Sequence, residues 1–472
     1  MDTEKRAPVT PVPSVFICVY LWCMQTALGT VAFVSLGCPK NLIDSETMLG
    51  GLASEGFTIT PNYKGADVVV INTCGFLDAS RRESLDTISK MLALKEQGEV
   101  KRVVVAGCMV GNYRELLDRE VPGADALVSV NDRSQVTTVL RELRHSGELT
   151  RKAVISDPDA QGTIYDDRGR LRLTPRHYAY LRISEGCNHT CSFCVIPSIR
   201  GKYRSKPRER ILQEARELVA DGARELIVVA QDSTYYGLDT EGRKSLHELL
   251  ADVAKIPELR WIRLMYAYPT QVTDELIDLL ARESKLNGYI DMPLQHISTP
   301  VLARMKRGST RDSTLRLVER MRARVKNLTL RSTFIVGFPG ETEAQFEELC
   351  DFLKQGFIDR AGVFPYSDEV QAESHGLDGK IPESEIMRRH ARVMEIAQQA
   401  MFTRNERLVG TTLDCVVEGR TQDPKYPSEA RSTMDAPEID CTIRLKGEHI
   451  AGSFMRARVV RSLGFDLLAE PL

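Results

Sequence analysis

The segment ISEGCNHTCSFC, residues 183–194, holds three cysteines in the pattern Cys-x-x-x-Cys-x-x-Cys. It directly follows the run YAYLRI, residues 178–183, whose apolar and aromatic side chains predict a β-strand. Structural zinc sites take four protein ligands, whereas three thiolates on one loop suit an iron–sulfur cluster with one open iron. The alternatives are a zinc site completed by His189 or by a distant residue, and a buried cysteine trio without metal. The latter is disfavoured because close thiols in a cytosolic protein are usually metal-binding or catalytic.

The composition predicts a soluble globular protein of several domains. The chain has 472 residues, of which 42% are hydrophobic and 27% are charged, and its net charge is −2. This length predicts two to four domains. Because the net charge is close to zero, the chain as a whole lacks the excess of positive charge that is typical of nucleic-acid-binding proteins. Eleven cysteines, an odd number spread along the sequence, favour a reducing compartment, so we expect a cytoplasmic protein.

The N-terminal residues superficially resemble a signal peptide, because an apolar run at 12–23 follows Lys5 and Arg6. Pro11 and Pro13 interrupt the start of that run, and a membrane-spanning helix needs about 20 residues. We interpret residues 1–29 as a disordered extension, or as the product of an upstream start codon. No other segment approaches a membrane span, so we expect no membrane partner.

Residues 30–145 alternate Val/Ile-rich runs with helical patterns, which predicts parallel strands in a doubly wound α/β domain. The predicted strands cover residues 31–36, 68–72 and 103–106. A glycine and a cysteine lie at or just beyond the end of each one, at Cys38, Cys74 and Cys108. Ligand sites in open α/β sheets lie outside the carboxyl ends of the strands. We therefore expect these cysteines to form a second three-thiol site, although a single such cysteine would more often be a buried small hydrophobe.

Residues 145–175 are polar and lack apolar periodicity, so we interpret 146–176 as a linker or surface hairpin. Residues 177–408 again alternate strands and helices. Six βα units predict an open (βα)6 barrel rather than a closed eightfold one, followed by a long helix at about 383–407. The cysteine loop would then lie at the carboxyl end of the first strand, where the chemistry of such barrels takes place.

Several polar or aromatic residues follow the other predicted strands, and together they could contact a nucleoside and an amino-acid group. Each alone could be an ordinary strand terminus. His296 is ambiguous, and we do not assign it as a base. The candidates for cofactor binding are Gln231, Arg263, Tyr266, Gln295, Gly337 and Tyr366.

Residues 409–472 contain short strand patterns separated by turns, which predict a small five-stranded antiparallel barrel. From Gly410 to Leu472 there are eight Lys/Arg and ten Asp/Glu residues, so the tail is net acidic. Asp435, Glu438 and Asp440 lie close together in this tail. We expect this stretch to be an acidic surface that docks a basic protein.

With these motifs assembled, the chain resembles the methylthiotransferases of the radical S-adenosylmethionine superfamily over residues 30–470. The motifs that carry the resemblance are the three-cysteine loop, SLGCPKN at 35–41, NTCGF at 72–76 and DAPEID at 435–440. The resemblance implies an N-terminal domain with three cluster-binding cysteines, a radical barrel and a C-terminal TRAM domain. It also implies two 4Fe-4S clusters, held by Cys38, Cys74 and Cys108 and by Cys187, Cys191 and Cys194. We assign no catalytic residue beyond these ligands.

The resemblance implies a radical reaction on an unactivated carbon, which acid–base catalysis cannot reach. S-adenosylmethionine would supply the radical at the cluster of Cys187, Cys191 and Cys194. The cluster of Cys38, Cys74 and Cys108 would carry the sulfur. The implied product is β-methylthioaspartate in the small-subunit ribosomal protein S-twelve. An electron donor such as flavodoxin or ferredoxin is implied as a partner, and we expect a monomer.

Two other functions remain open from the sequence. A methylthiotransferase that acts on adenosine in tRNA would share all six cysteines, but its tail should carry a basic face. A zinc-stabilised RNA-binding factor without catalysis is the alternative from another class. It would be colourless and hold zinc, whereas the enzyme would hold about eight irons.

Overall fold

The computed structural model describes residues 28–145, 151–159 and 166–472. The predicted extension lies almost entirely outside these ranges, as does part of the predicted linker. The described chain forms two parallel sheets and one closed barrel. In these ranges, no helix has the length and apolar character needed to cross a membrane.

The N-terminal sheet has six strands in the order β2-β1-β3-β4-β5-β6, and every neighbouring pair is parallel. The strands are β1 (Thr30–Ser35), β2 (Thr58–Thr60), β3 (Val68–Thr73), β4 (Arg102–Gly107), β5 (Ala126–Ser129) and β6 (Lys152–Val154). The helices are α1 (Pro39–Ser54), α2 (Asp78–Glu96), α3 (Cys108–Asn112), α4 (Arg114–Glu120) and α5 (Val136–His145).

Helices cover both faces of this sheet, as predicted for a doubly wound domain. One core forms where α2 and α4 pack, around Ile88 and Leu117, and the other where α1 and α5 pack, around Leu52 and Leu140. All six residues of β3 are buried, which explains its continuous apolar sequence.

The reading of residues 145–175 as a linker or surface hairpin is wrong in part. Lys152–Val154 pairs in parallel with β5 as the edge strand of the N-terminal sheet. Asp167 is 1% exposed and lies in a buried ionic network, and Arg170 pairs with Glu46 and Glu214. The polar composition of this segment reflects buried ion pairs, which periodicity cannot reveal.

The central sheet has the order β14-β13-β12-β11-β10-β7, with all neighbouring pairs parallel, and is open as predicted. Its strands are β7 (Tyr178–Arg182), β10 (Glu225–Val229), β11 (Trp261–Leu264), β12 (Tyr289–Asp291), β13 (Thr329–Val336) and β14 (Arg360–Pro365). A separate antiparallel pair, β8 (Ser184–Glu185) and β9 (Arg204–Ser205), flanks the cysteine loop.

The helices of this unit are α6 (Ile196–Arg200), α7 (Arg208–Ala220), α8 (Leu246–Ala254), α9 (Asp274–Arg282), α10 (Thr299–Arg304), α11 (Arg311–Arg324), α12 (Glu343–Lys354) and α13 (Glu383–Arg407). Six of these eight helices pack on the outer face of the sheet around one apolar core, whereas the short helices α6 and α10 pack in two other clusters. Alternation along β7 places Leu181 in this core, whereas Tyr178 and Tyr180 pack on the inner face with Ile43 of α1. The N-terminal unit therefore covers part of the inner face.

The tail forms a closed barrel in the order β15-β16-β17-β19-β18. Its strands are β15 (Thr412–Arg420), β16 (Ser428–Ser432), β17 (Ile443–Leu445), β18 (Phe454–Ser462) and β19 (Leu467–Pro471). Five strands were predicted, but the barrel is not wholly antiparallel because β17 and β19 pair in parallel.

The acidic stretch of the tail is only in part the free docking surface that the sequence suggested. Glu438 is exposed and accepts a hydrogen bond from Tyr178 Oη at 3.1 Å, whereas the other two acids are engaged by the central sheet. Asp435 is 1% exposed and its carboxylate accepts hydrogen bonds from Arg360 at the start of β14. Asp440 accepts from Tyr289 and pairs with Arg331. These acids hold the barrel against the central sheet.

Candidate active site

Cys38, Cys74 and Cys108 lie at the carboxyl ends of the adjacent parallel strands β1, β3 and β4. Cys38 precedes α1, Cys74 directly follows β3, and Cys108 begins α3. Because the carboxyl ends of parallel strands share one edge, the three cysteines lie along that edge. They are placed at strand ends as expected, and their joint binding of a cluster stays a prediction.

Glycines allow the three cysteine turns to approach one another. Gly37 has φ +94°, and a Cβ there would lie 3.0 Å from Cys74 Cβ and 3.3 Å from its Sγ. Gly107 has φ +104°, and a Cβ would lie 2.7 Å from the backbone nitrogen of Thr73. Only glycine accommodates both the left-handed backbone and the contact at these positions.

The loop with Cys187, Cys191 and Cys194 is held by its own backbone and by its neighbours. The Cys187 amide donates to the Gly201 carbonyl at 3.1 Å, and the Cys194 amide donates to the Cys191 carbonyl at 3.0 Å. The hydroxyl of Ser192 donates to the Arg304 carbonyl at 2.8 Å. The loop therefore has a fixed shape at the edge where the central strands end.

The thiols of both sets are free and fit cluster ligation. Burial raises the pKa of Cys108, Cys187 and Cys194 to about 12, so binding a metal there would release protons. In the described ranges, no three His, Cys, Asp or Glu side chains converge as one metal ion requires.

One buried arginine contacts each cysteine set. Arg200 donates from Nη2 to Cys108 Sγ at 3.3 Å, and Arg307 donates from Nη1 to Cys191 Sγ at 3.5 Å. Burial opposes ionisation of Cys38, but the charges of Lys40 and Arg200 outweigh it and hold the pKa of this thiol below its ordinary value. Each cysteine set therefore has one guanidinium beside one of its sulfurs.

A buried ionic network joins the two cysteine-bearing units. Asp44 of α1 pairs with Arg200 at 2.8 Å and with Arg182 at 2.6 Å. Glu185 pairs with Arg200 at 3.0 Å, and burial opposes its ionisation, yet Arg200 and Arg182 hold its pKa well below the usual range. These side chains are at most 3% exposed. The sequence analysis missed this network, whose only sequence signal is the placement of charged residues in apolar runs.

Two of the predicted cofactor contacts have side chains that contact residues beside the cysteines. Gln231 donates to Glu185 Oε1 at 3.0 Å, and its own Oε1 is buried without a partner in the described ranges. Tyr266 has φ +60°, and Lys40 Nζ lies 3.3 Å from its ring centroid. A buried acceptor without a partner is the kind of group that a bound polar ligand can satisfy.

Three other candidates lie at the carboxyl ends of their strands, as predicted. Gln295 has φ +71° and bridges to Phe334, and the Gly337 amide donates to Glu341. Tyr366 donates to Ser374 at 2.9 Å. Their contact with a cofactor remains a prediction.

Arg263 lies in a different place from the other candidates. It is 1% exposed, pairs with Glu225 at 2.8 Å and donates to the Thr433 carbonyl of the tail at 3.0 Å. Its guanidinium also stacks over Tyr289. Through these contacts, Arg263 holds the C-terminal barrel against the central sheet.

From the sequence, His189 was considered only as a zinc ligand and Tyr268 was assigned no role, yet both lie at the loop with Cys187, Cys191 and Cys194. Their rings stack with centroids 3.6 Å apart, and His189 Nε2 lies 2.7 Å from Asp232 Oδ2. Tyr268 Oη lies 4.0 Å from Cys191 Sγ and donates to the Arg307 carbonyl. His189 is therefore engaged by Asp232 through Nε2, which leaves the zinc alternative either Nδ1 of His189 or a distant residue as its fourth ligand.

His296 is fully buried, and burial together with the charge of Arg389 lowers its pKa to about 3. Its Nδ1 accepts a hydrogen bond from the Ser298 amide. It is a neutral structural side chain near neutral pH, which agrees with leaving it unassigned.

Comparison with known proteins gives three matching family profiles. The profile of the Radical SAM superfamily matches residues 181–353, and that of the uncharacterized protein family UPF0004 matches residues 30–129. The TRAM domain profile matches residues 409–472. Each match falls on one of the three sheets described above.

Curated relatives are similar over nearly the whole chain. The ribosomal protein uS12 methylthiotransferase RimO of Solibacter usitatus is 42% identical, covering 94% of this chain and 94% of the relative. The protein of the same name from Trichlorobacter lovleyi is 42% identical over 93% of this chain and 97% of the relative.

A solved structure shows a related fold. The radical S-adenosylmethionine methyltransferase TsrM from Kitasatospora setae, with cobalamin and a 4Fe-4S cluster bound, gives a TM-score of 0.50 at 16% identity. The match covers 71% of this chain and 74% of that one.

Proposed function

Because the chain belongs to the family of the RimO methylthiotransferases of ribosomal protein uS12, we propose that it converts an aspartate of uS12 to β-methylthioaspartate. The enzyme is a radical S-adenosylmethionine transferase, and members of its family use two 4Fe-4S clusters. Protein uS12 is the small-subunit protein S-twelve considered above.

The observation that carries the proposal is the adjacency of the two cysteine sets. Cys108 packs in one apolar cluster with Val195 and Ile199, and Val195 directly follows Cys194. Arg200 at the end of the same short helix donates to Cys108. A reaction that joins a sulfur from one centre to a carbon activated at the other needs two centres this close.

The six cysteines are the ligands that we assign. A cluster at Cys187, Cys191 and Cys194 would supply the one-electron cleavage of S-adenosylmethionine, and a cluster at Cys38, Cys74 and Cys108 would supply the sulfur. Arg307 and Arg200 donate to one sulfur in each set and fix its position. The buried network around Asp44 and Glu185 keeps water from the boundary between the sets.

The remaining details are also proposals. We assign residues 30–145, 177–408 and 409–472 as the three domains, with the linker shortened by the strand at 152–154. Oxygen-labile clusters and an odd cysteine number support a cytoplasmic enzyme. We expect a monomer that receives electrons from a flavodoxin or ferredoxin.

The test is mass spectrometry of uS12 from cells with and without this gene. We expect one aspartate to carry a methylthio group only when the gene is present. A matched strain expressing Cys191→Ala should lack the modification, because one ligand of the radical site is gone. Modified uS12 in the deletion strain would contradict the proposal.

A tRNA substrate remains the second candidate, because the C-terminal barrel carries one local basic surface. Arg456, Arg458 and Arg461 are exposed along β18, and none has an ion-pair partner in the described ranges. A basic strip suits a phosphate backbone, and the net acidic charge of the tail conceals it. Tight binding of a tRNA anticodon stem with no modification of uS12 would favour this candidate.

A further inference from the structure

Lys40 is a buried cation two residues after Cys38. It is 8% exposed, and its Nζ lies 3.3 Å from the ring centroid of Tyr266. In the part of the chain that the structure describes, no Asp or Glu carboxylate forms an ion pair with Lys40. The ammonium thus faces an aromatic ring instead of a carboxylate.

A buried ammonium normally has a carboxylate partner, because removing a charge from water without compensation is strongly unfavourable. Lys206, at 1% exposure, shows the usual arrangement in this protein: it pairs with Asp167 at 2.7 Å and with Glu214 at 2.6 Å. The ring of Tyr266 compensates Lys40 only in part, since a cation–π contact replaces only some of the solvation that a buried ammonium loses. Among the described residues, Lys40 therefore has no anionic partner, and a bound ligand could supply one.

The position of Lys40 connects it to both cysteine sets. Lys40 lies two residues after Cys38 in the N-terminal unit, and its Nζ contacts the ring of Tyr266 in the central unit. Tyr266 is two residues from Tyr268, whose hydroxyl lies 4.0 Å from Cys191 Sγ. The side chain of Lys40 therefore lies at the boundary between the two cysteine-bearing units.

We propose that Lys40 binds the side-chain carboxylate of the substrate aspartate and thereby determines specificity for an acidic residue. This inference rests on the proposed function. The carboxylate is bonded directly to the β-carbon that is modified, so an ion pair with a fixed ammonium would hold that carbon between the two centres. Ionic recognition also rejects neutral side chains, because they would leave the buried ammonium without a partner.

The experiment measures the affinity of the anaerobically purified full chain for recombinant uS12 and for uS12 with the target aspartate changed to asparagine. Asparagine has nearly the same side-chain shape as aspartate but carries no charge. We expect the unsubstituted chain to bind the aspartate form at least about tenfold more tightly, as loss of a buried charge pair implies. Lys40→Met should abolish this preference, and Lys40→Arg should retain part of it.

Lys64→Met is the matched control, because Lys64 pairs with Glu99 on the surface and should leave the preference unchanged. The iron content and the reduction potential of the N-terminal cluster are measured on each variant. A cation that only balances the charge of a cluster would shift the potential in Lys40→Met and leave the preference intact. That result would overturn the inference.

If Lys40→Met does not fold, the comparison of uS12 with its aspartate-to-asparagine form still tests the inference. Equal affinity of the unsubstituted chain for the two forms of uS12 overturns it. A preference that Lys40→Gln loses while keeping its iron supports it. Modification of uS12 is scored separately by mass spectrometry, so methylthiolated uS12 with no aspartate preference rejects Lys40 alone, whereas unmodified uS12 rejects the proposed function as well.

Discussion

Arg200 Nη2 lies 3.3 Å from Cys108 Sγ, so a side chain from the central unit donates to a thiol of the N-terminal unit. The same guanidinium contacts Asp44 at 2.8 Å and Glu185 at 3.0 Å. Arg200 lies six residues after Cys194, at the end of the helix that follows the cysteine loop. Any movement of one cysteine set relative to the other must therefore break a buried, charge-assisted hydrogen bond.

This contact predicts that Arg200 tunes the N-terminal cluster. A positive donor to a ligating sulfur stabilises the reduced, more negative cluster, so Arg200→Gln should lower its reduction potential by on the order of 50 mV. Redox titration by electron paramagnetic resonance, in a background of Cys187→Ala, Cys191→Ala and Cys194→Ala, isolates that cluster. Arg200→Lys keeps the charge and should shift the potential less. An unchanged potential in Arg200→Gln would show that the contact has no electronic effect.

The two cysteine sets lie on separate sheets, which predicts that each assembles its cluster independently. The variant Cys187→Ala/Cys191→Ala/Cys194→Ala should keep about four irons, one cluster, and lose cleavage of S-adenosylmethionine. Iron analysis and detection of 5′-deoxyadenosine measure the two outcomes. Cys350→Ala is the control, since Cys350 is buried in the apolar core of the central unit and should keep both clusters. Cleavage at the unsubstituted rate in the triple variant would contradict the assignment.

The reciprocal variant, Cys38→Ala/Cys74→Ala/Cys108→Ala, separates radical formation from sulfur transfer. It should still form 5′-deoxyadenosine under a strong reductant, because the ligands of the radical site remain. It should yield no methylthiolated uS12 by mass spectrometry. Normal product yield would mean that these thiols are structural.

The acids of the tail predict a stability effect rather than a docking effect. Asp435→Asn leaves Arg360 buried with a weakened partner and should lower the free energy of unfolding by about 3 kcal/mol. Denaturant unfolding measures the loss. Glu448→Gln is the matched control, because Glu448 pairs with Arg420 on the surface and should change stability by less than about 1 kcal/mol. Equal stability of the two variants would show that the Asp435 pair contributes nothing.

Much of the site could be predicted from the sequence because its ligands follow strands. Parallel strands place their carboxyl ends on one edge, so Cys38, Cys74 and Cys108 could be grouped although they are far apart in the chain. The loop with Cys187, Cys191 and Cys194 is local, and its spacing alone indicated metal chemistry. The order of the central sheet followed from the alternation of strands and helices.

The contacts between units could not be predicted in the same way. Arg200 and Cys108 are 92 residues apart, and nothing in local periodicity links them. The same holds for Asp435 and Arg360, whose pairing turned an apparently acidic surface into a buried contact. Arg263 likewise donates a hydrogen bond to the tail, although its position in a strand suggested that it contacts a cofactor. Side chains that join sheets depend on how the sheets dock, which sequence patterns do not encode.

If the two cysteine sets act together on an aspartate of uS12, methylthiolation of uS12 should require both of them. Mass spectrometry of recombinant uS12, after anaerobic incubation with the purified chain, S-adenosylmethionine and a reductant, measures this directly. We expect a methylthio group on one aspartate, formed only when both cysteine sets are intact. Unmodified uS12 alongside a methylthiolated adenosine in tRNA offered in the same reaction would contradict it.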